Sequence, residues 1–479
     1  MDKTDLAYLP AHKALEMFRA RTLSPVEHMQ AMIDRAAEVE PKVNALPMTY
    51  YDQAMEAAKK AEAKYASGKR TRTLEGLAIG VKDESMIKGM PTTFGSLSMK
   101  DDNIAEVTSP VNDKILKAGG IVHARTATPE FSCTVTTHTK LWGVTRNPWN
   151  LSLTPGGSSG GSAASLASGT SALATGSDIG GSIRVPSSTC GLFGIKPTFG
   201  RNPADSPFNL DQYAVDGPLA RTAKDMVLLQ NVMSGPHRND MVSIRPKLRI
   251  SDEVKSLDGW KIAYSPDLGF YEVSDDVRRN TEASLDVFRA AGAVVEEVSL
   301  SWTQDILDGA MSHLEHLFGG SLRELVDEDP DSFMPYTRAL ADGSRRQDAA
   351  KFLAAGEIAN GMYAELSRIL ADYRLLICPT TALEAVPADC DGVSDEVRIN
   401  GKVVHPLHGW IMTVPFNMLN YCPVVSAPSG HAASGVPTGI QIVGRTYSDK
   451  DVCAAALAYE HERGMQFVDA ATRPGFRQG

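Results

Sequence analysis

The chain has 479 residues, 43% of them hydrophobic and 22% charged, which is ample for a large buried core and excludes disorder as its governing state. Its formal charge of -10, with no dense basic run beyond Lys69-Arg70-Thr71-Arg72, argues against a nucleic-acid partner, and that short run reads as a solvated loop. The charged start Met1-Asp2-Lys3-Thr4-Asp5 leads into no apolar segment, and no uninterrupted run of about 18 apolar residues follows, so a cytoplasmic protein with no membrane association is expected.

Ser24-Pro25-Val26-Glu27 opens a predicted helix over 24–38, with a capping serine, a proline at the first helical position and a glutamate that completes a capping box. A second, polar helix is expected from about Tyr51 to Ser67, rich in the strong helix formers Ala, Lys and Glu. Together they give an N-terminal helical layer over 1–70. The character then changes at Gly76-Leu77-Ala78-Ile79-Gly80-Val81, a run too short for a helix and suited to a buried strand, with Lys82 at its end. Helix-like stretches alternate with short apolar runs through Gly120-Ile121-Val122, Ser162 to Leu173 and Trp260-Lys261-Ile262-Ala263-Tyr264. That rhythm predicts an α/β fold with a mixed sheet flanked by helices on both faces.

One domain over 1–479 is expected, with a catalytic core at 71–238. Residues 239–405 are more polar and less patterned, the place for substrate-shaping elements. Residues 406–479 return to the core sheet through Ala427-Pro428 and Gly439-Ile440-Gln441-Ile442-Val443-Gly444. The six cysteines, Cys133, Cys190, Cys378, Cys390, Cys422 and Cys453, are scattered, with no C-x-x-C pair and no histidine at ligand spacing. Neither a disulfide framework nor a metal site nor a cofactor is predicted.

The chemistry concentrates in Pro155-Gly156-Gly157-Ser158-Ser159-Gly160-Gly161-Ser162 and Gly176-Ser177-Asp178-Ile179-Gly180-Gly181-Ser182-Ile183-Arg184, two glycine-rich turns flanking one helix. Glycine lets successive amides converge on one concavity, and such a concavity binds negative charge. In acyl transfer that charge is the oxyanion of the tetrahedral intermediate, and the backbone amides of Ile179, Gly180, Gly181 and Ser182 are the candidates. A serine at position 182 needs a base to become a nucleophile. None of the eleven histidines lies in a comparable setting, whereas Lys82 ends an apolar strand. Burial there disfavours its charged form and makes a neutral amine available as proton acceptor.

These segments, Gly80-Val81-Lys82-Asp83 and the two glycine-rich turns, resemble the amidase signature family. Asn147-Pro148-Trp149, Gly194-Ile195-Lys196-Pro197-Thr198-Phe199-Gly200-Arg201, Asp216-Gly217-Pro218-Leu219-Ala220-Arg221-Thr222 and the 439–444 run are similar to further family landmarks, with residues 240–400 only loosely held. The resemblance implies a Ser-Ser-Lys triad. Ser182 would attack the carbonyl, Ser158 would relay the proton through a residue in a cis peptide, and Lys82 would hold and return it. The 24 positions between the two serines agree with the family's spacing. Ser132 falls where relatives place a backbone group that meets the substrate amide. The implied reaction is cleavage of a carboxylic amide through an acyl-enzyme, with hydrazides and esters also open. The substrate would be a small-molecule amide, used with water.

Two alternatives stand beside it: the glutamine-hydrolysing A subunit of a tRNA-dependent amidotransferase, which would need partner subunits, and a non-catalytic binder of small anions on the same fold. Trp302, Phe318, Phe333, Tyr336, Trp410 and Phe416 are candidates for an acyl pocket, although core packing is the commoner role for such residues. If several line it, an aryl or apolar acyl group fits better than glutamine. A homodimer stays open. Gly157-Ser158-Ser159-Gly160-Gly161 also fits the nucleophile elbow G-x-S-x-G, but Leu151-Ser152-Leu153-Thr154-Pro155 before it makes no convincing strand. Asp178 and Arg184 read as organisers of their loop, Asp83 as a salt-bridge partner for Lys82, and Cys133 and Cys190 as packing residues.

Overall fold

The computed structural model describes residues 2–101 and 103–478. The Pro25–Val43 helix begins as its sequence dictates: the Ser24 hydroxyl accepts the Val26 N–H and the Glu27 carboxylate accepts the Ser24 N–H, each at 2.9 Å. It runs beyond the expected end and stops at Asn44 in the left-handed conformation, with a φ of 56°. The polar helix follows at Tyr51–Ala66.

The core is one eleven-stranded sheet. In chain order its strands are β1 (Met48–Thr49), β2 (Ala78–Lys82), β3 (Ile121–Thr126), β4 (Leu173–Asp178), β5 (Phe193–Lys196), β6 (Val215–Ala220), β7 (Lys261–Tyr264), β8 (Val294–Glu297), β9 (Leu375–Pro379), β10 (Val424–His431) and β11 (Pro437–Gly444). Their spatial order is β1-β3-β2-β4-β6-β5-β10-β11-β9-β7-β8. The strands β3, β2 and β4 run parallel to one another, as do β9, β7 and β8, and antiparallel pairs join the two groups. The sheet is therefore mixed.

Side chains alternate across a strand, and the alternation is visible in the two largest apolar clusters. Ile262, Tyr264, Leu375, Ile377, Val425, Ile440 and Ile442 belong to one. Their strand neighbours Ala263, Leu376, Cys378, Val424 and Val443 belong to the other. Both faces of the sheet are covered by helices, which explains why its strands are short continuous apolar runs rather than apolar-polar alternations.

The 239–405 region does more than shape a surface. It supplies β7, β8 and β9, so it is woven into the sheet, while its helices Asp305–Leu314, Gly320–Glu328 and Pro335–Ser344 lie between β8 and β9 in sequence. Between the two glycine-rich turns lies not one helix alone but the Gly160–Ser168 helix followed by β4. That extra strand is what delivers Ser177 and Asp178 next to Lys82, because β4 is a parallel neighbour of β2. No helix among the described residues is long and apolar enough to cross a membrane.

Candidate active site

Lys82 closes β2, where it is 1% exposed. Its Nζ donates to Ser158 Oγ at 2.6 Å and to Ser177 Oγ at 2.9 Å, and lies 3.0 Å from Glu84 Oε2. Burial pushes the Lys82 amine below its ordinary range, and the Glu84 carboxylate pulls partly the other way. Ser158 follows a cis peptide at Gly157–Ser158 and is fully buried.

The expected salt-bridge partner of Lys82 is wrong by one residue. Asp83 faces the opposite way, accepting the Thr93 N–H at 3.0 Å and lying 3.5 Å from Arg125. The chain turns directly after Lys82, with the Ser85 N–H donating to the Lys82 carbonyl at 3.3 Å, and it is Glu84, not Asp83, that meets the lysine. Glu84 also accepts the Ser132 hydroxyl.

Ser182 precedes the short Arg184–Cys190 helix and is 3% exposed. Its carbonyl accepts the Ser159 N–H at 3.2 Å, tying the two glycine-rich turns together. Among the described residues its hydroxyl makes no side-chain hydrogen bond, so the Lys82–Ser158 half of the expected relay is formed and the Ser158–Ser182 half is open. Catalytic hydrogen bonds of this kind commonly tighten when substrate binds.

Asp178 organises the turn around Ser182. Its carboxylate accepts the Gly181 N–H at 2.9 Å, the Ile183 N–H at 3.2 Å, Asn417 Nδ2 at 2.8 Å and the Arg184 guanidinium at 2.8 Å. Arg184 in turn donates to the Thr413 carbonyl at 2.9 Å and to Gln441 Oε1 at 2.7 Å. Burial opposes the charge on Asp178, but the guanidinium outweighs it and holds the carboxyl below its usual range. A buried pair this fully hydrogen-bonded fixes geometry more than it adds net stability. It also alters one expectation: the Gly181 amide is engaged by Asp178, which leaves the amides of Ile179, Gly180 and Ser182 with no partner among the described residues.

Two cavities meet at this point. A small one of about 60 Å³ is lined by Gly180, Ser182, Met311, Leu340 and Val414 among others. A larger one of about 360 Å³ is lined by Glu84, Ser177, Asp216, Phe131, Phe208 and Leu325 among others. Ser132, Ile179 and Phe318 line both and form the partition between them. Ser132 is held at a φ of 60°, with its N–H donating to the Pro129 carbonyl at 2.9 Å, so it is the residue's carbonyl that is unengaged among the described residues. Of the six aromatic candidates only Phe318 lines either of these two cavities. Trp302, Trp410 and Phe416 pack in one apolar cluster, Phe333 and Tyr336 in two smaller ones.

Other groups that could compete as base or nucleophile are placed unfavourably. His408 lines the small cavity, but burial, then neighbouring His405, pushes it down to about 3, too weak a base to draw a proton from a serine. Lys196 is a second buried lysine, pushed down to about 7 by burial, yet its Nζ is turned to Asn420 Oδ1 and the Cys422 carbonyl, with no serine in reach. All six cysteines are buried free thiols, and burial raises Cys133 and Cys190 far from thiolate. Ser159 directs its hydroxyl to the Ser177 carbonyl at 3.4 Å, and residues 151–155 form a turn, an isolated bridge at Leu153 and irregular chain rather than the strand a nucleophile elbow needs.

The Amidase family model matches residues 27–453. The chain belongs to the amidase signature family. It is similar to an acylamidase of Rhodococcus erythropolis, 31% identical over 477 residues, covering 97% of each chain. It is also similar to the A subunit of the glutamyl-tRNA(Gln) amidotransferase of Geobacter sp. (strain M21), 28% identical, covering 95% of this chain and 97% of that one. Among solved structures, a bacterial aryl acylamidase of the amidase signature enzymes superposes with a TM-score of 0.88 at 29% identity, covering 95% and 96% of the two chains. The fold and the family expected from the glycine-rich turns are thus correct, and hydrolytic amide cleavage is the coarse chemistry this chain carries.

Proposed function

We propose that the protein hydrolyses amides with aryl or apolar substituents, by way of an acyl-enzyme on Ser182, with Ser158 as relay and Lys82 as base. A neutral amine has two N–H groups and one lone pair. Those allow donation to Ser177 and Glu84 and, once the proton that Lys82 donates to Ser158 is lost, acceptance of the Ser158 hydroxyl proton, leaving Ser158 to accept from Ser182 when substrate draws the hydroxyls together. Attack at the carbonyl moves negative charge onto its oxygen, where the amides of Ile179, Gly180 and Ser182 are free to donate. The proton held on Lys82 then passes back through Ser158 to the departing nitrogen, the C–N bond breaks, and water cleaves the ester on Ser182 by the same route.

The observation that carries this reading is the 2.6 Å contact between a buried lysine and Ser158, with Ser177 and Glu84, which touch the same lysine, lining the larger of two largely apolar cavities. The similarity to acylamidases supports the same substrate class. Glutamine is the weaker candidate: its α-carboxylate calls for a lysine or arginine, and among the described residues neither cavity is lined by one. A non-catalytic anion binder is disfavoured because Lys82, Ser158 and Ser182 are all in place. The deciding experiment is turnover of a panel of anilides, simple amides and glutamine by the purified protein and by Ser182→Ala. Anilide cleavage that Ser182→Ala abolishes while still folded supports the proposal; preferential ammonia release from glutamine contradicts it.

A further inference from the structure

We infer that the larger cavity holds the amine side of the substrate and selects an aromatic or apolar amine that carries a basic, protonated nitrogen. The inference rests on the amide-hydrolase reading only for which half of the substrate lies there.

The assignment to the amine side follows from where the proton must go. Glu84 and Ser177, which both touch Lys82 Nζ, line the larger cavity, whereas Gly180 and Ser182 line the smaller one. A leaving nitrogen that receives its proton from the lysine side therefore directs its substituent into the larger space.

The selection follows from the lining. Phe131, Phe208 and Phe318 wall the cavity, with the last two in edge contact at 5.3 Å between ring centroids. Its ionisable lining is acidic: Glu84, Asp205 and Asp216 in addition to Asp178, which Arg184 neutralises. Among the described residues no lysine, arginine or histidine lines it. Lys82, which does not line it, has its Nζ 3.0 Å from Glu84 Oε2. Asp205 accepts the Ser109 hydroxyl, and the Asp216 carboxyl takes no hydrogen bond from any described residue. Burial, then the Glu84 and Asp205 carboxylates, pushes the Asp216 carboxyl well above its ordinary range, so that it gives up its proton most readily when a cation binds beside it. A protonated amine supplies that charge, gains charge-assisted hydrogen bonds, and finds aromatic faces that favour cations. A carboxylate in the same place meets only repulsion.

Binding of benzylamine, benzyl alcohol and benzoate, measured by calorimetry at neutral pH, tests this without requiring turnover, so a failure of the amidase reading would show in the amide panel and not here. Benzylamine is expected to bind at least about tenfold tighter than either of the other two, and Asp216→Asn is expected to erase about tenfold of that preference. Asp205→Asn, expected to lower it in the same direction, decides the matter if Asp216→Asn fails to fold by thermal melting. Undetectable benzylamine binding, equal binding of the three compounds, or a preference that survives both substitutions overturns the inference.

Discussion

Gly181 is where backbone geometry and chemistry meet most tightly. Its φ of 126° is a conformation that side chains rarely adopt, and a Cβ there would sit 2.0 Å from Thr413 Oγ1 and 2.6 Å from Thr413 Cβ. Thr413 cannot simply rotate away at no cost, because its hydroxyl donates to the Gly180 carbonyl at 2.7 Å and its own carbonyl accepts from Arg184 at 2.9 Å. Relief of the clash therefore displaces the Gly180–Ser182 turn by more than about 1 Å, a scale at which positioning losses reach about 100-fold. Loss of even one preset donor costs about 10²–10³ in kcat, and the strained φ costs about 1–3 kcal/mol of stability. Gly181→Ala is accordingly expected to lower kcat by about 10²–10³ while KM changes little, with a reduced melting temperature. Gly180→Ala is the control for folding, since its Cβ meets nothing within 4 Å. Steady-state kinetics beside thermal melting makes the comparison. A folded Gly181→Ala with wild-type kcat would refute the link between this turn and the reaction.

Glu84→Gln removes the carboxylate that raises the Lys82 amine against the lowering effect of burial. The lysine then loses its proton at lower pH, so the acid limb of kcat/KM should move down the pH scale; a limb that moves up contradicts the role of Lys82 as base. His28 is fully buried, with neither ring nitrogen hydrogen-bonded, and burial, then Arg221, pushes it down to about 3. Between an unfolded value of about 6.5 and that lowered one, the unfolded chain binds a proton the folded chain refuses, so stability falls as pH falls and the loss at pH 5 is about 2 kcal/mol. His28→Leu should remove that loss, seen as a smaller difference between urea melts at pH 7 and pH 5 than in the wild type. Equal acid losses in the two proteins would count against it.

Much of this was legible because the relevant signals are local. The capping box at Ser24 and Glu27 marks its helix, a short apolar run marks β2, and the two glycine-rich turns mark the place where the chain reverses around Ser182. What escaped depends on pairing between distant strands. Leu173–Asp178 was hidden by small residues that look like more turn, and became a strand because β2 and β6 flank it. Glu84 escaped because a turn after β2, not strand alternation, brings it to Lys82, whereas Asp83 attracted notice merely by adjacency. The cavity lining was beyond reach, since Phe208, Asp216, Phe318 and Leu325 converge only after the middle of the chain has contributed its strands and folded its helices over the site. Most of the aromatic residues proposed for an acyl pocket went to the core instead, where large apolar side chains contribute most to stability.

The account stands on a hydroxyl at position 182 made nucleophilic by a buried amine acting through Ser158. Trapping with a fluorophosphonate, followed by peptide mass spectrometry of the wild type, Lys82→Ala and Ser182→Ala, addresses this most directly. The adduct is expected on Ser182 in the wild type, strongly slowed in Lys82→Ala and absent in Ser182→Ala. An adduct on Ser159 or a cysteine, or labelling of Ser182 at an unchanged rate without Lys82, would contradict it.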